Sequence, residues 1–162
     1  MMTEQKNLAV EAIQMIRDAI VEKGIKASGR TGNSLKGEDT GTRVVVYADG
    51  TGAPASTLQY GREGGKVPFN FVGIIKQWII DKGLPVKPLP FSPDNPRPKM
   101  QKYTEHERGL NKMAGNFAYA IKEKGTKRHR ENRDDIYTPA QKYVISEFTK
   151  RWADNIVNEF LK

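Results

Sequence analysis

A chain of 162 residues, 37% hydrophobic and 28% charged, suits one folded domain around one core and is too apolar to be disordered. It has no cysteine, which excludes disulfides and thiolate metal sites, and no uncharged apolar run near the ~20 residues of a membrane helix. A net charge of +8 brings forward nucleic acid and acidic protein surfaces as partners without choosing between them.

From the N-terminus, Leu8, Ala12, Ile13, Met15, Ile16, Ala19 and Ile20 fall at helical spacing. They predict a first helix over 3–23, with Gly24 as its left-handed cap. Glu4, Lys6, Glu11, Arg17 and Asp18 break up its apolar positions, so a globular helix is expected and export through a signal peptide is not. Residues 27–42 are small and polar and read as a loop. The β-branched run Val44-Val45-Val46 predicts a strand over 43–48. That strand is too short to stand alone, so its partner is expected in the weakly signalled 57–60 or in a neighbouring subunit.

Turns are expected over 49–54 and 61–68, both rich in glycine. Phe71, Val72, Ile75, Trp78 and Ile79 then predict a second helix over 70–82, stopped by Gly83. Pro85, Pro88, Pro90, Pro93, Pro96 and Pro98 exclude helix interior and central strand, so 84–108 is expected to be an extended arm. Leu89, Phe91 and Met100 would give that arm something to bury.

Leu110, Met113, Ala114, Phe117, Ala118 and Ile121 predict a third helix over 106–124 capped by Gly125, followed by a basic loop over 125–138. A last helix is expected with Thr138 as N-cap and Pro139 in its first turn. Val144, Phe148, Trp152, Ile156 and Phe160, widened by Ile145, Val157 and Leu161, read as its core face. The sum is an α+β fold in a single domain, 1–162: three to four helices packed on a small antiparallel sheet, with one long proline-rich extended arm.

Chemistry-bearing groups are sparse. The two histidines, His106 and His129, are flanked by charges, and no serine or aspartate is spaced to complete a triad. Two separated histidines without cysteine do not make a transition-metal site. Glu38-Asp39 and Asp134-Asp135 are adjacent carboxylates, which point apart and suit turns and caps. The tract Gly61-Arg62-Glu63-Gly64-Gly65-Lys66 lacks the spacing and the Lys-Ser/Thr ending of a phosphate loop. The expectation is a protein that is not an enzyme and carries no metal or cofactor. Lys122, Lys124, Lys127, Arg128, His129, Arg130 and Arg133 form the densest charge cluster, with no interleaved Phe, Tyr or Trp for base stacking. Two readings stay open for it: a solvated loop, or a contact to DNA or an acidic partner.

Three stretches together resemble a known family. Ala27-Ser28-Gly29-Arg30-Thr31-Gly32-Asn33-Ser34-Leu35, behind a leading helix, resembles the Gly-Arg/Lys-Thr-x-x-Ser-Leu segment of tailed-phage neck, tail-completion and minor tail proteins. Tyr60-Gly61-Arg62, a glycine-rich turn, Pro68 and the run Ile75-Lys76-Gln77-Trp78-Ile79-Ile80-Asp81-Lys82-Gly83-Leu84 are similar to a pattern of phage virion proteins. A helix ending in Lys124-Gly125-Thr126, a loop and a long terminal helix fit the same layout. The resemblance covers residues 20–162 and is best over 27–84; the long arm and the thin sheet signal depart from it.

It implies a structural virion protein of the head-tail connector, neck or tail, assembling as a homo-oligomeric ring. Its neighbours would be other connector, portal-adjacent or tail proteins, in non-specific proximity to DNA and away from membranes. Such a chain is made in the host cytoplasm and carried in the virion. Candidate assembly residues are then Arg30, Tyr60, Gly61, Arg62 and Trp78, with Leu89, Phe91 and Met100 of the arm. The competing expectation is a nucleic-acid-binding module acting through the basic loop 122–133.

Overall fold

The computed structural model describes residues 7–25, 29–50, 55–92 and 102–161. In chain order its elements are α1 (Leu8–Glu22), α2 (Arg30–Asn33), β1 (Leu35–Asp39), β2 (Val44–Ala48), α3 (Ala55–Tyr60), α4 (Phe71–Asp81), α5 (Glu105–Lys124), α6 (Lys127–Arg130) and α7 (Thr138–Phe160). The fold is α+β: among the described residues, four longer helices, three short ones and one antiparallel hairpin.

The helix ends follow local chemistry. Asn7 caps α1 by accepting from the Val10 amide at 3.2 Å, and Gly24 leaves the helix at φ +65°. Thr104 and Glu107 close a reciprocal capping box at the start of α5, whose end is closed by Gly125 at φ +71°. The expected bounds of the last helix shift by one residue: Tyr137 is the cap and Thr138 is already helical.

The chain divides into two compact units, one holding the residues up to Tyr60 and from Arg133 onward, the other residues 61–132. Two cores form where length predicted one. In the first unit Ala12, Ile13, Ile16 and Ile20 of α1 pack with Leu35, Leu58, Ile136 and Ala140. In the second, Phe71, Ile75 and Ile79 of α4 pack with Leu110, Ala114 and Ala118 of α5. Each stripe repeats at three and four residues, so each buries one helix face.

The strand's partner is β1, paired from Leu35 opposite Ala48 to Asp39 opposite Val44. This corrects both expected partners, and residues 57–60 are helical, in α3. The sequence Leu-Lys-Gly-Glu-Asp conceals a strand because its glycine is there for packing. A Cβ on Gly37 would stand 2.9 Å from the Ala9 Cβ and 3.1 Å from the Ile13 Cδ1, so only glycine lets the hairpin lie on α1. Arg30–Asn33, expected as loop, form α2 between the caps Gly29 and Ser34, with its turn held by Arg17 Nε donating to the Gly32 carbonyl at 2.9 Å. Leu35 then enters the core at 5% exposure.

Gln59, 4% exposed, organises the approach to α7. Its Oε1 accepts from the amides of Ile136 at 3.1 Å and Tyr137 at 2.7 Å, while its Nε2 donates to the Asp134 carbonyl and the Thr138 hydroxyl. Gln59→Leu keeps the volume but orphans two amides, and each buried unpaired group costs about 1–3 kcal/mol. The expected loss is about 2–4 kcal/mol in the first unit, read by urea unfolding, with Gln59→Glu retaining the two acceptor bonds.

Candidate interaction surfaces

Helix α7 is built with two dissimilar faces. Ala140, Tyr143, Val144, Glu147 and Arg151 repeat at helical spacing and form the side turned to its own unit, which is mostly polar. The Tyr143 hydroxyl donates to the Glu11 carboxylate, and that bond is the main cause of its pKa being pushed up to about 12. Arg151 reaches Asp39 through two parallel bonds, Nη1 to Oδ1 at 2.8 Å and Nη2 to Oδ2 at 2.9 Å. The same carboxylate accepts from the Leu8 amide at 2.9 Å and the Gly41 amide at 3.0 Å. One side chain of β1 thus joins the hairpin loop, the N-terminus of α1 and the middle of α7. The side chains are 5% exposed for Asp39 and 12% for Arg151, and the pairing with Arg151 first of all holds the Asp39 carboxyl at about 2.

The expected core face of α7 is overturned. Ile145 is 58% exposed, Trp152 63%, Val157 54%, Phe160 87% and Leu161 80%, and of the stripe only Val144 packs against the first core. The reason is helical pitch. Steps of four residues overshoot a turn of 3.6 by about 40° each, so a stripe that starts on the core at Val144 has swung about 160° away by Phe160.

In the second unit Trp78 and Phe117 meet edge to face, with centroids 6.1 Å apart at 82°. Each is 37% exposed, so the pair rims the α4–α5 core rather than filling it. The described part of the proline segment packs back on its own unit. Leu84 and Val86 join the second core, the Leu89 amide donates to the Glu105 carbonyl at 2.9 Å, and Arg108 Nε donates to the Leu89 carbonyl at 2.8 Å. Arg108, 7% exposed, also bonds the Tyr103 carbonyl and stands over the Phe91 ring at 5.9 Å. Over 84–92 the segment is extended, as expected, and lies on its own unit, where Leu89 and Phe91 have partners; Met100 lies outside the described residues, and 105–108, expected within the arm, are helical.

Gly109 permits that packing, since a Cβ there would overlap the Lys87 carbonyl oxygen. Gly109→Ala is expected to displace the segment at a cost of about 1–3 kcal/mol, which makes chymotryptic cleavage after Phe91 at least about ten-fold faster.

The expected basic loop is also partly structured. Thr126 caps α6, which holds Lys127, Arg128, His129 and Arg130. The glycine turn 61–66 is joined to it: the Thr126 amide donates to the Arg62 carbonyl at 2.8 Å, the Arg62 amide to Thr126 Oγ1 at 2.9 Å, and the Gly65 amide to the Lys122 carbonyl at 2.6 Å. Gly61, at φ +78°, has no room for a Cβ, which would overlap the Thr126 hydroxyl. Arg62 turns its guanidinium to the Lys66 carbonyl and over the Phe71 ring at 5.1 Å.

Of the other candidates, Arg30 is exposed on α2, Tyr60 is 51% exposed at the end of α3, and Arg133 is exposed and belongs to the first unit, whereas the cations of 122–130 belong to the second. Sequence reasoning missed Asp39, Arg151, Gln59 and Arg108. Their partners are 15 or more residues away for most bonds, and nothing in their immediate sequence neighbours marks them. Among the described residues no group of three His, Cys, Asp or Glu side chains is placed to hold a metal ion, and no helix is long and apolar enough to cross a membrane. No family model matches the chain, nor does any curated protein or solved structure.

Proposed function

We propose that this chain is a non-enzymatic structural subunit of a tailed-phage virion, placed in the head-tail connector, neck or tail and working by contact among copies in a ring. The observation that carries the reading is the outward face of α7. Trp152, Phe160 and Leu161, at 63%, 87% and 80% exposure, lie with Ile145 and Val157 on one long helix whose polar side faces inward. Large apolar side chains gathered in this way mark a surface to be covered, and aromatic anchors are the usual centres of such contacts. The occupant proposed is a second copy of the chain, extended in the particle by connector, portal-adjacent or tail neighbours.

Two further features support it. The hairpin holds only two strands among the described residues, a short sheet with edges suited to strand addition. Of the sequence segments resembling phage virion proteins, the described part of the first, 29–35, holds α2 and enters β1, and the second runs from Tyr60 through α4. Quantitative mass spectrometry of purified particles, from a phage that encodes the chain, tests the proposal. The expected result is several copies per particle at a fixed ratio to the portal subunit; absence from purified particles would overturn it.

A further inference from the structure

We infer that the corner where the glycine turn 61–66 meets the end of α5 and α6 is a binding surface for the phosphate backbone of duplex nucleic acid. The inference stands independently of virion assembly. It rests on a structured basic surface in place of the expected loose loop.

Besides Arg62, whose guanidinium is turned to the Lys66 carbonyl and the Phe71 ring, six further cations belong to this corner: Lys66, Lys122, Lys124, Lys127, Arg128 and Arg130. Three carboxylates accompany them, Glu63, Glu123 and Glu131, of which Glu131 lies 3.6 Å from Lys127. The six are exposed except Arg128, which is half-buried. The backbone carrying them is held at fixed points by the bonds of Thr126, Arg62 and Gly65 already described, so the charges are anchored near their binding positions and less ordering is needed on contact. Gly61 and Gly125 make that closure possible, because a Cβ on either would overlap the facing strand of the corner.

Composition separates nucleic acid from an acidic protein. From Lys122 to Glu131 there is no apolar side chain at all. The centre of a protein contact is apolar and poor in lysine, whereas a phosphate backbone requires only cations and hydrogen-bond donors. No Phe, Tyr or Trp lies between Lys122 and Glu131, so contact there is to the phosphate backbone, is independent of sequence and favours the charge density of a duplex over a single strand.

Anisotropy titrations of the whole chain with a short labelled duplex of arbitrary sequence, from about 50 to 200 mM salt, test this. Native protein is expected to bind with micromolar affinity at the low end and to weaken with a slope of about −0.9 per phosphate neutralised. The exposed triple variant Lys124→Gln, Lys127→Gln, Arg130→Gln should flatten that slope by about 2–3. A control triple, Lys112→Gln, Lys142→Gln, Lys150→Gln, removes the same charge elsewhere and should leave the slope within about one of native. Circular dichroism confirms that both variants are folded. Equal loss in the two triples, no salt-dependent binding by native protein, or tighter binding of the single strand would overturn the inference. So would displacement of the duplex by polyglutamate at equal charge, which would make the corner an acidic-protein site.

Discussion

Asp39→Asn is expected to destabilise the first unit by about 3–5 kcal/mol, the usual cost of removing one partner from a buried ion pair. Four donors converge on the Asp39 carboxylate, two guanidinium nitrogens and the amides of Leu8 and Gly41. An amide offers one oxygen and sets an NH2 against two of those donors, while Arg151 keeps its charge at 12% exposure. The loss is local and can be read locally. Each unit contains one of the two tryptophans, Trp152 in the first and Trp78 in the second, so Trp78→Phe and Trp152→Phe backgrounds report the units separately in urea. Asp39→Asn should move only the transition seen through Trp152. An unshifted transition would mean that the pair contributes nothing net. Replacing both partners, Asp39→Leu with Arg151→Met, should recover only part of the loss, because no charge is then left buried alone but the Leu8 and Gly41 amides lose their acceptor.

The pair also sets an acid limit. The folded Asp39 carboxyl is held at about 2, below its ordinary value of 3.8, chiefly by Arg151. A carboxylate with a lowered folded pKa contributes stability that is complete above the ordinary value and disappears as pH falls through the folded one. The first unit should therefore lose stability between about pH 4 and pH 2, and Asp39→Asn should flatten the pH dependence across that window.

Trp152→Asp is expected to leave the fold intact and to weaken the proposed self-association. The side chain is 63% exposed on the face of α7 turned away from Arg151 and Tyr143, so its own unit loses little. At the centre of a contact, an aromatic anchor contributes about 2 kcal/mol or more, which weakens association about thirty-fold or further. Sedimentation across a concentration series, together with incorporation into particles, measures the effect. Val144→Asp supplies the contrast, because Val144 packs on the first core and its replacement should unfold the unit. A Trp152→Asp chain that assembles as the native one does would remove α7 from the proposed ring contact.

The sequence by itself determined what depends on neighbours a few residues apart. Apolar spacing located α1, α4, α5 and α7, and Gly24, Gly83 and Gly125 marked three of their ends, because a helix face and a left-handed cap are local properties. The basic residues and the apolar residues of α7 were legible as candidates for the same reason. Tertiary structure decided which side of α7 is covered, since a four-residue repeat winds around the helix and only Asp39, Glu11 and the first core select the buried side. It also decided the strand pairing, the two cores and the return of residues 84–92 onto Arg108. Those depend on a glycine's clearance or on partners far apart in sequence, such as Asp39 and Arg151, whose attraction has no periodic trace along the chain.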